Sequence, residues 1–408
     1  MKKKILISTN MERATRILLR TELFELLKSE YDIVIASPAE QSPKWKEEFA
    51  GDSVSFFYDF LQDNSIVDLE EGLSRLDIAA ILSCSNSDVP EMQFDVGLQK
   101  SAKSLNIPII VIQDFIDMIF HPMTVKPDLY LCWGEFFKHM LSRKRDVLVW
   151  NHIGSLHGMA VEEPLDNVKV VGVPHFDIYR KSEFYNRDRF TKEIGFIPDK
   201  PIFLFLPNGE ISQWVFDTFD NFMEAAKIND GQVIIKTHPI RTGDSWIYNL
   251  IIKKYKNILC KIIDDPSMNK GTAFGVKGYG GHNYHMDLMD MWSLGNILYN
   301  SDIVCSIPST TALEAMIFNK PVVLETMHWS HPYEVRRNVM NWWWNVLDEY
   351  RCCKRSKKYG ELFQYVEEYL KNPDVDMPGR ANLIDSMFYG AKGNACQNSF
   401  NAIKEFLG

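Results

Sequence analysis

The 408-residue chain has no C-x-x-C pair, and its seven cysteines (84, 132, 260, 305, 352, 353 and 396) are scattered and odd in number. That excludes a disulfide framework and a cysteine-built zinc site, and it fits a reducing cytoplasm. Long apolar runs are missing as well. No segment approaches the roughly 20 residues that cross a bilayer. The N-terminus, MKKKILIST, has a basic start but only a short apolar run before polar NMERATR, so it reads as a first strand and not as a signal peptide. The expectation is a cytoplasmic protein, at most peripheral at the inner face of the membrane. Excess positive charge is absent too: 45 Lys and Arg stand against 54 Asp and Glu, a net charge of -9. This argues against nucleic acid as the main partner, although a local basic cluster can still hold phosphate.

What the chain does have is the composition of a globular protein, 46% hydrophobic and 24% charged, at a length that allows two domains with sizeable cores. Its first half alternates apolar runs with helical patterns. KILIS (4–8) precedes a helical segment near 12–28 and then DIVIAS (32–37). IAAILSCS (78–85) precedes a helix near 90–105 and then IPIIVIQD (107–114), with PDLYLCWG (127–134) and VKVVGVP (168–174) beyond. Unbroken Ile/Val/Leu runs mark strands buried on both faces of a parallel sheet. The chain turns polar after residue 175, which places a boundary between domains 1–178 and 179–408.

The second half restarts the cycle with IFLFLPNG (202–209), QVIIKTHP (232–239), NILCKIID (257–264), DIVCSIP (302–308) and PVVLE (321–325). Helical patterns intervene near 213–227, 245–255, 287–300 and 310–318. The expected fold class is α/β: two Rossmann-like, doubly wound domains facing each other across a cleft, with C-terminal helices. Ligands of open α/β sheets sit beyond the carboxyl ends of the strands, so the residues just after each strand are the candidates.

In the second domain these are Asn208-Gly209, Thr237-His238-Pro239 and Ser309-Thr310-Thr311. Three hydroxyls in a row open the helix near 310. An N-cap accounts for one of them. The others, with free backbone N–H groups and the positive helix end, suit a phosphate. His238 can donate to the same phosphate or carry a proton, and Asn208-Gly209 permits close backbone approach. A turn glycine, a structural histidine and a plain cap are the alternatives.

KTHP, followed some 70 residues later by SDIVCSIPSTTALEAMIFNKPVVL, resembles the C-terminal half of GT-B glycosyltransferases, above all bacterial sialyltransferase-like and CDP-glycerol glycerophosphotransferase-like families. VVGVPHFD (170–177) resembles the G-x-P-x-x-D segment that such proteins place near the domain crossover. The resemblance covers about residues 110 to 330. It implies that His238, Ser309 and Thr310 bind the donor's phosphate and that Glu314 reaches its ribose. An exposed helix position is the alternative for Glu314.

The first domain is expected to supply the acceptor site and any general base. Its strand-end candidates are Thr9-Asn10, Ser85-Asn86 and Gln113-Asp114. Related families often show Gln-His-Gly where this chain has Gln113-Asp114-Phe115, so Asp114 is the substitute for the missing histidine. A carboxylate among apolar neighbours can have its pKa raised enough to deprotonate an acceptor hydroxyl; a cap of the next turn or a pair with an arginine is the alternative for Asp114. Asp117 and His121 are fallback candidates. Arg13, Arg16 and Arg20 share one helix face, either to neutralise an anionic substrate or as a solvated row.

Two further stretches stand out. Residues 266–287, PSMNKGTAFGVKGYGGHNYHMD, are glycine-rich without a G-x-x-x-x-G-K-[ST] loop and suggest a lid over the donor. MNWWWNVLDEY with RCCKRSKK (340–358) joins aromatic to basic residues, as a membrane surface or an interdomain core would.

The reading is a metal-independent, inverting GT-B glycosyltransferase with no cofactor. Its donor is a nucleotide-sugar, and its acceptor is a hydroxyl of a cell-surface polysaccharide or glycolipid. No D-x-D lies in a plausible cleft position. Alternatives are a CDP-polyol phosphotransferase, an NDP-sugar 2-epimerase (whose usual G-T-R-P-E-like loop is STNMERA here) and a non-catalytic sugar-nucleotide or glycan-binding subunit.

Overall fold

The structure is a computed structural model that describes residues 2–9, 17–39, 42–84, 93–150, 156–180, 185–207, 213–238, 245–263, 288–307, 309–326 and 345–408. Two compact units divide the chain. Residues 1–177 and 386–408 form one, and residues 178–385 form the other.

In the first unit the strands are β1 (Lys4–Ser8), β2 (Asp32–Ala36), β3 (Val54–Phe56), β4 (Ile78–Ser83), β5 (Ile109–Ile112), β6 (Leu129–Cys132), β7 (Arg145–Trp150), β8 (Leu156–Glu162) and β9 (Val168–Val170). Seven of them make one parallel sheet in the order β3-β2-β1-β4-β5-β6-β9, while β7 and β8 form a separate antiparallel hairpin. Ile5, Ile7, Ile33, Ile35, Leu82, Ile110 and Leu131 pack into one core with Leu23, Phe24 and Leu27 of helix Glu22–Glu30. Their neighbours along the strands, Leu6, Val34, Ile81 and Val111, are buried as well. Burial on both faces is the physical reason why these runs do not alternate.

Residues 386–408, grouped with the second domain in the sequence reading, belong instead to the first unit. Helix Ala395–Leu407 packs on helix Glu22–Glu30 and on β6. The G-x-P-x-x-D segment explains why. Asp177 accepts the Ala395 N–H at 2.9 Å and the Cys396 N–H at 2.8 Å, so it caps this returning helix. Gly172 has φ +89°, and a Cβ there would lie 2.9 Å from the Cβ of Ala395. Both ends of the motif serve the helix contact. Burial raises the Asp177 pKa as the larger influence, against the opposing pull of the two N–H bonds.

The second unit contains β10 (Ile202–Leu206), β11 (Gln232–Lys236), β12 (Cys260–Ile263), β13 (Ile303–Ser306), β14 (Val322–Glu325) and β15 (Lys354–Ser356). All six are parallel, in the order β12-β11-β10-β13-β14-β15. Helices Gln213–Ile228 and Glu361–Lys371 cover one face, with Phe219, Phe222 and Val366 packed on Phe203, Phe205 and Val323. Each sheet therefore has the doubly wound Rossmann order, in which the winding reverses beside its first strand.

The basic run near 351–358 is a folded sheet edge. Lys354 pairs with Glu368 at 2.9 Å, and Arg355 pairs with Asp348. Cys352 is fully buried. Lys354 and Arg355 are thus paired within the fold, while Arg351, Lys357 and Lys358 are exposed. Residues 340–344 lie outside the described residues, as does the whole of 266–287.

Candidate functional site

In the second unit the winding reverses between β10 and β13, the position at which doubly wound sheets take their ligands. Phe205 pairs with Ile235 on one side, and Leu206 pairs with Ser306 on the other. Thr237-His238 and Ile307 therefore leave the sheet at the same edge, flanking β10, with Ser309 two residues on. Two strand spacings separate β11 from β13, about 10 Å.

The surplus hydroxyls now have individual positions. Ser309 is the N-cap of helix Thr310–Ile317, and its Oγ accepts the Thr311 N–H at 3.1 Å. The Ala312 N–H turns back to the Ser309 carbonyl at 3.2 Å. One hydroxyl thus does the capping. Thr310 and Thr311 are half-buried, and among the described residues the Thr310 N–H and both threonine hydroxyls make no hydrogen bond. Those donors, at the positive end of a helix dipole, can stabilise an anion. His238 is half-buried at the neighbouring edge, directly after Thr237, whose N–H donates to the Ile263 carbonyl at 3.1 Å.

Glu314 is not an exposed helix residue: it is 8% exposed, and the Tyr179 hydroxyl donates to its Oε2 at 2.5 Å. That bond fixes the orientation of the carboxylate. Sequence reasoning passed over Tyr179, because 135 residues separate the two partners. It also passed over Glu325, which is buried at the carboxyl end of β14 and adds to the upward shift that burial imposes on the Cys305 thiol.

In the first unit the corresponding reversal lies between β1 and β4. Thr9 sits there, but it is buried, and its hydroxyl donates to the Ala36 carbonyl at 3.1 Å. Beside it the Ser8 hydroxyl donates to Asp95, a buried carboxylate in the first turn of helix Gln93–Ser104. Asp95 followed no strand directly, so the strand-end criterion did not select it. At the end of β5, Gln113 is a structural joint. Its side-chain oxygen accepts the Trp133 N–H at 3.2 Å, and its carbonyl accepts the Trp133 Nε1–H at 2.6 Å.

Asp114, next along, is 2% exposed. Its charge adds to the upward shift of the buried Tyr130 phenol, which burial dominates. Downstream of it, hairpin residues Arg145 and Glu162 tie to the chain at Ile119 and Met123. Burial raises the Glu162 pKa, opposed by the Met123 N–H and by Arg145.

Arg20 is committed to the fold. It makes a two-pronged pair with Glu48 at 2.6 and 2.8 Å, and its guanidinium lies over the Trp45 ring at 5.3 Å. Asn208 and Gly209 of the donor set, and Asn10, Arg13 and Ser85 of the acceptor set, lie outside the described residues, as does Arg16.

Two parallel sheets, each in the doubly wound order, are the arrangement of the GT-B class of fold. No protein-family model matches the chain, and no curated protein matches it in sequence. Solved structures do match. A UDP-GlcNAc 2-epimerase from Neisseria meningitidis, bound to UDP-GlcNAc, shares the fold with a TM-score of 0.58 at 13% identity, over 99% of this chain and 100% of that one. A glycosyltransferase from Rickettsia africae gives 0.53 at 12% identity, over 100% and 99% of the two chains. The wall teichoic acid polymerase TagF gives 0.53 at 12% identity, over 99% of this chain and 88% of the other. What is shared is the fold.

Proposed function

We propose that the chain is a glycosyltransferase that moves a sugar from a nucleotide-activated donor to a hydroxyl of a cell-surface polysaccharide or glycolipid. The observation that carries this reading is the N-terminus of helix Thr310–Ile317. Its cap is already supplied by Ser309, and the Thr310 N–H and two threonine hydroxyls remain as donors beside the winding reversal of the second sheet. These groups and His238 bind the donor's phosphates. Glu314, held by Tyr179, accepts from the ribose hydroxyls.

In the reaction the acceptor oxygen attacks the anomeric carbon as the bond to the nucleoside diphosphate breaks. Asp114 takes the acceptor proton as general base, and the configuration inverts. The charge on the leaving diphosphate is met by the helix end, the hydroxyls and His238 in place of a divalent cation. Thr9, Asn10, Arg13 and Ser85 are assigned to the acceptor. The same phosphate site would equally serve a CDP-polyol phosphotransferase.

Release of nucleotide from a panel of UDP-, GDP- and CMP-sugars and CDP-polyols, with and without glycan acceptors, tests the proposal. Acceptor-dependent release from a nucleotide-sugar is the expected result. Release from a CDP-polyol alone selects the phosphotransferase. Sugar isomerisation without any acceptor would overturn both in favour of an epimerase.

A further inference from the structure

We propose that helix Ser245–Ile252, together with the edge strand β12, docks on an anionic lipid surface. The stretch SWIYNLIIKKYKNILCKII (245–263) carries four lysines and no acidic residue in a chain whose net charge is -9. Tyr248 and Ile251 turn inward and are buried. The opposite face should then be polar, yet it presents Trp246 at 61% exposed and Leu250 at 55% exposed, one helical turn apart. Leu259, at 43% exposed, lies just before β12, the outermost strand of its sheet.

The lysines follow directly. Lys254 pairs with Asp220 at 3.0 Å, whereas Lys253, Lys256 and Lys261 are exposed and pair with no described residue. A tryptophan and a leucine beside unpaired lysines combine an interfacial anchor with attraction to anionic headgroups.

The size of the patch decides between lipid and protein. Three partly exposed side chains offer on the order of 300 Å² of apolar surface. A stable protein interface needs about 800 Å² on each partner, whereas a bilayer accepts a few inserted side chains. Lysine on an outer strand also discourages edge-to-edge pairing, which argues against a second copy as the occupant.

Flotation of the full chain with vesicles tests the docking. Binding is expected to vesicles containing phosphatidylglycerol, to weaken with added salt, and to be far weaker on pure phosphatidylcholine. Reversal of Lys253, Lys256 and Lys261 to glutamate should lower partitioning by at least about a hundredfold, since each lysine contributes about fivefold. Trp246→Ser with Leu250→Ser should lower it by about tenfold or more at equal lipid charge. Hydrogen exchange on the unmodified chain, with and without vesicles, should show protection within 245–261 and makes the result independent of how the variants fold. The proposal is overturned if anionic vesicles do not bind, if protection falls elsewhere, or if the variants change only self-association.

Discussion

Replacing Asp177 by alanine removes the carboxylate that holds the Ala395 and Cys396 N–H groups at 2.9 and 2.8 Å. Hydrogen bonds to a charged group contribute about 1.5–3 kcal/mol each, so the two together set a ceiling of about 6 kcal/mol. Burial of the carboxylate opposes this gain and is the larger influence on its pKa. Loss of a helix cap by itself costs about 0.5–2 kcal/mol. The expected loss lies between these limits, at about 2–3 kcal/mol. In a unit of this size each kcal/mol moves the Tm by roughly 2–4 °C, so the variant should melt roughly 4–12 °C lower in differential scanning calorimetry. Asp177→Asn keeps one acceptor and should lose about half as much. A Tm within about 1 °C of the parent would refute the structural role of the G-x-P-x-x-D segment.

The same carboxyl sets a pH signature. Its raised pKa means the folded state holds that proton more tightly, so its contribution is complete below the ordinary carboxyl range and is lost as pH rises through the raised value. Chemical denaturation should therefore show the parent gaining on Asp177→Asn as pH falls from about 7 to about 4, and a gap widening in the other direction contradicts this. Gly172→Ala should cost about 1–3 kcal/mol in the same measurement, from positive φ and contact with Ala395. Glu48→Ala removes the two-pronged bond to Arg20 and should cost about 1.5–3 kcal/mol in urea titration. His238→Ala should weaken nucleotide binding by calorimetric titration, while Asp114→Asn should leave binding intact and abolish turnover. Loss of binding in Asp114→Asn would remove it as the base.

How legible the fold was depended on burial. Runs such as IFLFL and QVIIK are buried on both faces, and eleven of the fifteen described strands announced themselves as apolar runs. β3 and β15 are three-residue strands at sheet edges, the second of them the polar sequence KRS, and nothing in such a stretch separates strand from loop. The return of helix Ala395–Leu407 to the first unit depends on Asp177, more than 200 residues earlier, and no local pattern reports a contact of that separation. Within the site, the cap at Ser309 was readable because capping is a local interaction. The burial of Glu314 against Tyr179 and the Ser8–Asp95 bond were not, since each joins residues far apart in sequence. Arg20 looked like one of a row of anion binders only because its partner Glu48 lies on another element.

In the proposed function the donors beyond the Ser309 cap hold a nucleotide's phosphates. Thermal unfolding with CMP, CDP, UDP and GDP, on the parent chain and on Thr310→Val/Thr311→Val, tests it most directly, because valine removes both hydroxyls and leaves the Ser309 cap in place. At a hundredfold excess over Kd a ligand of the native state adds about 2.7 kcal/mol, a rise of roughly 5–11 °C in Tm. That rise is expected with at least one nucleotide, together with a loss of affinity of at least about tenfold in the double variant at unchanged stability without ligand. No rise with any nucleotide, or an equal rise in both proteins, would contradict it.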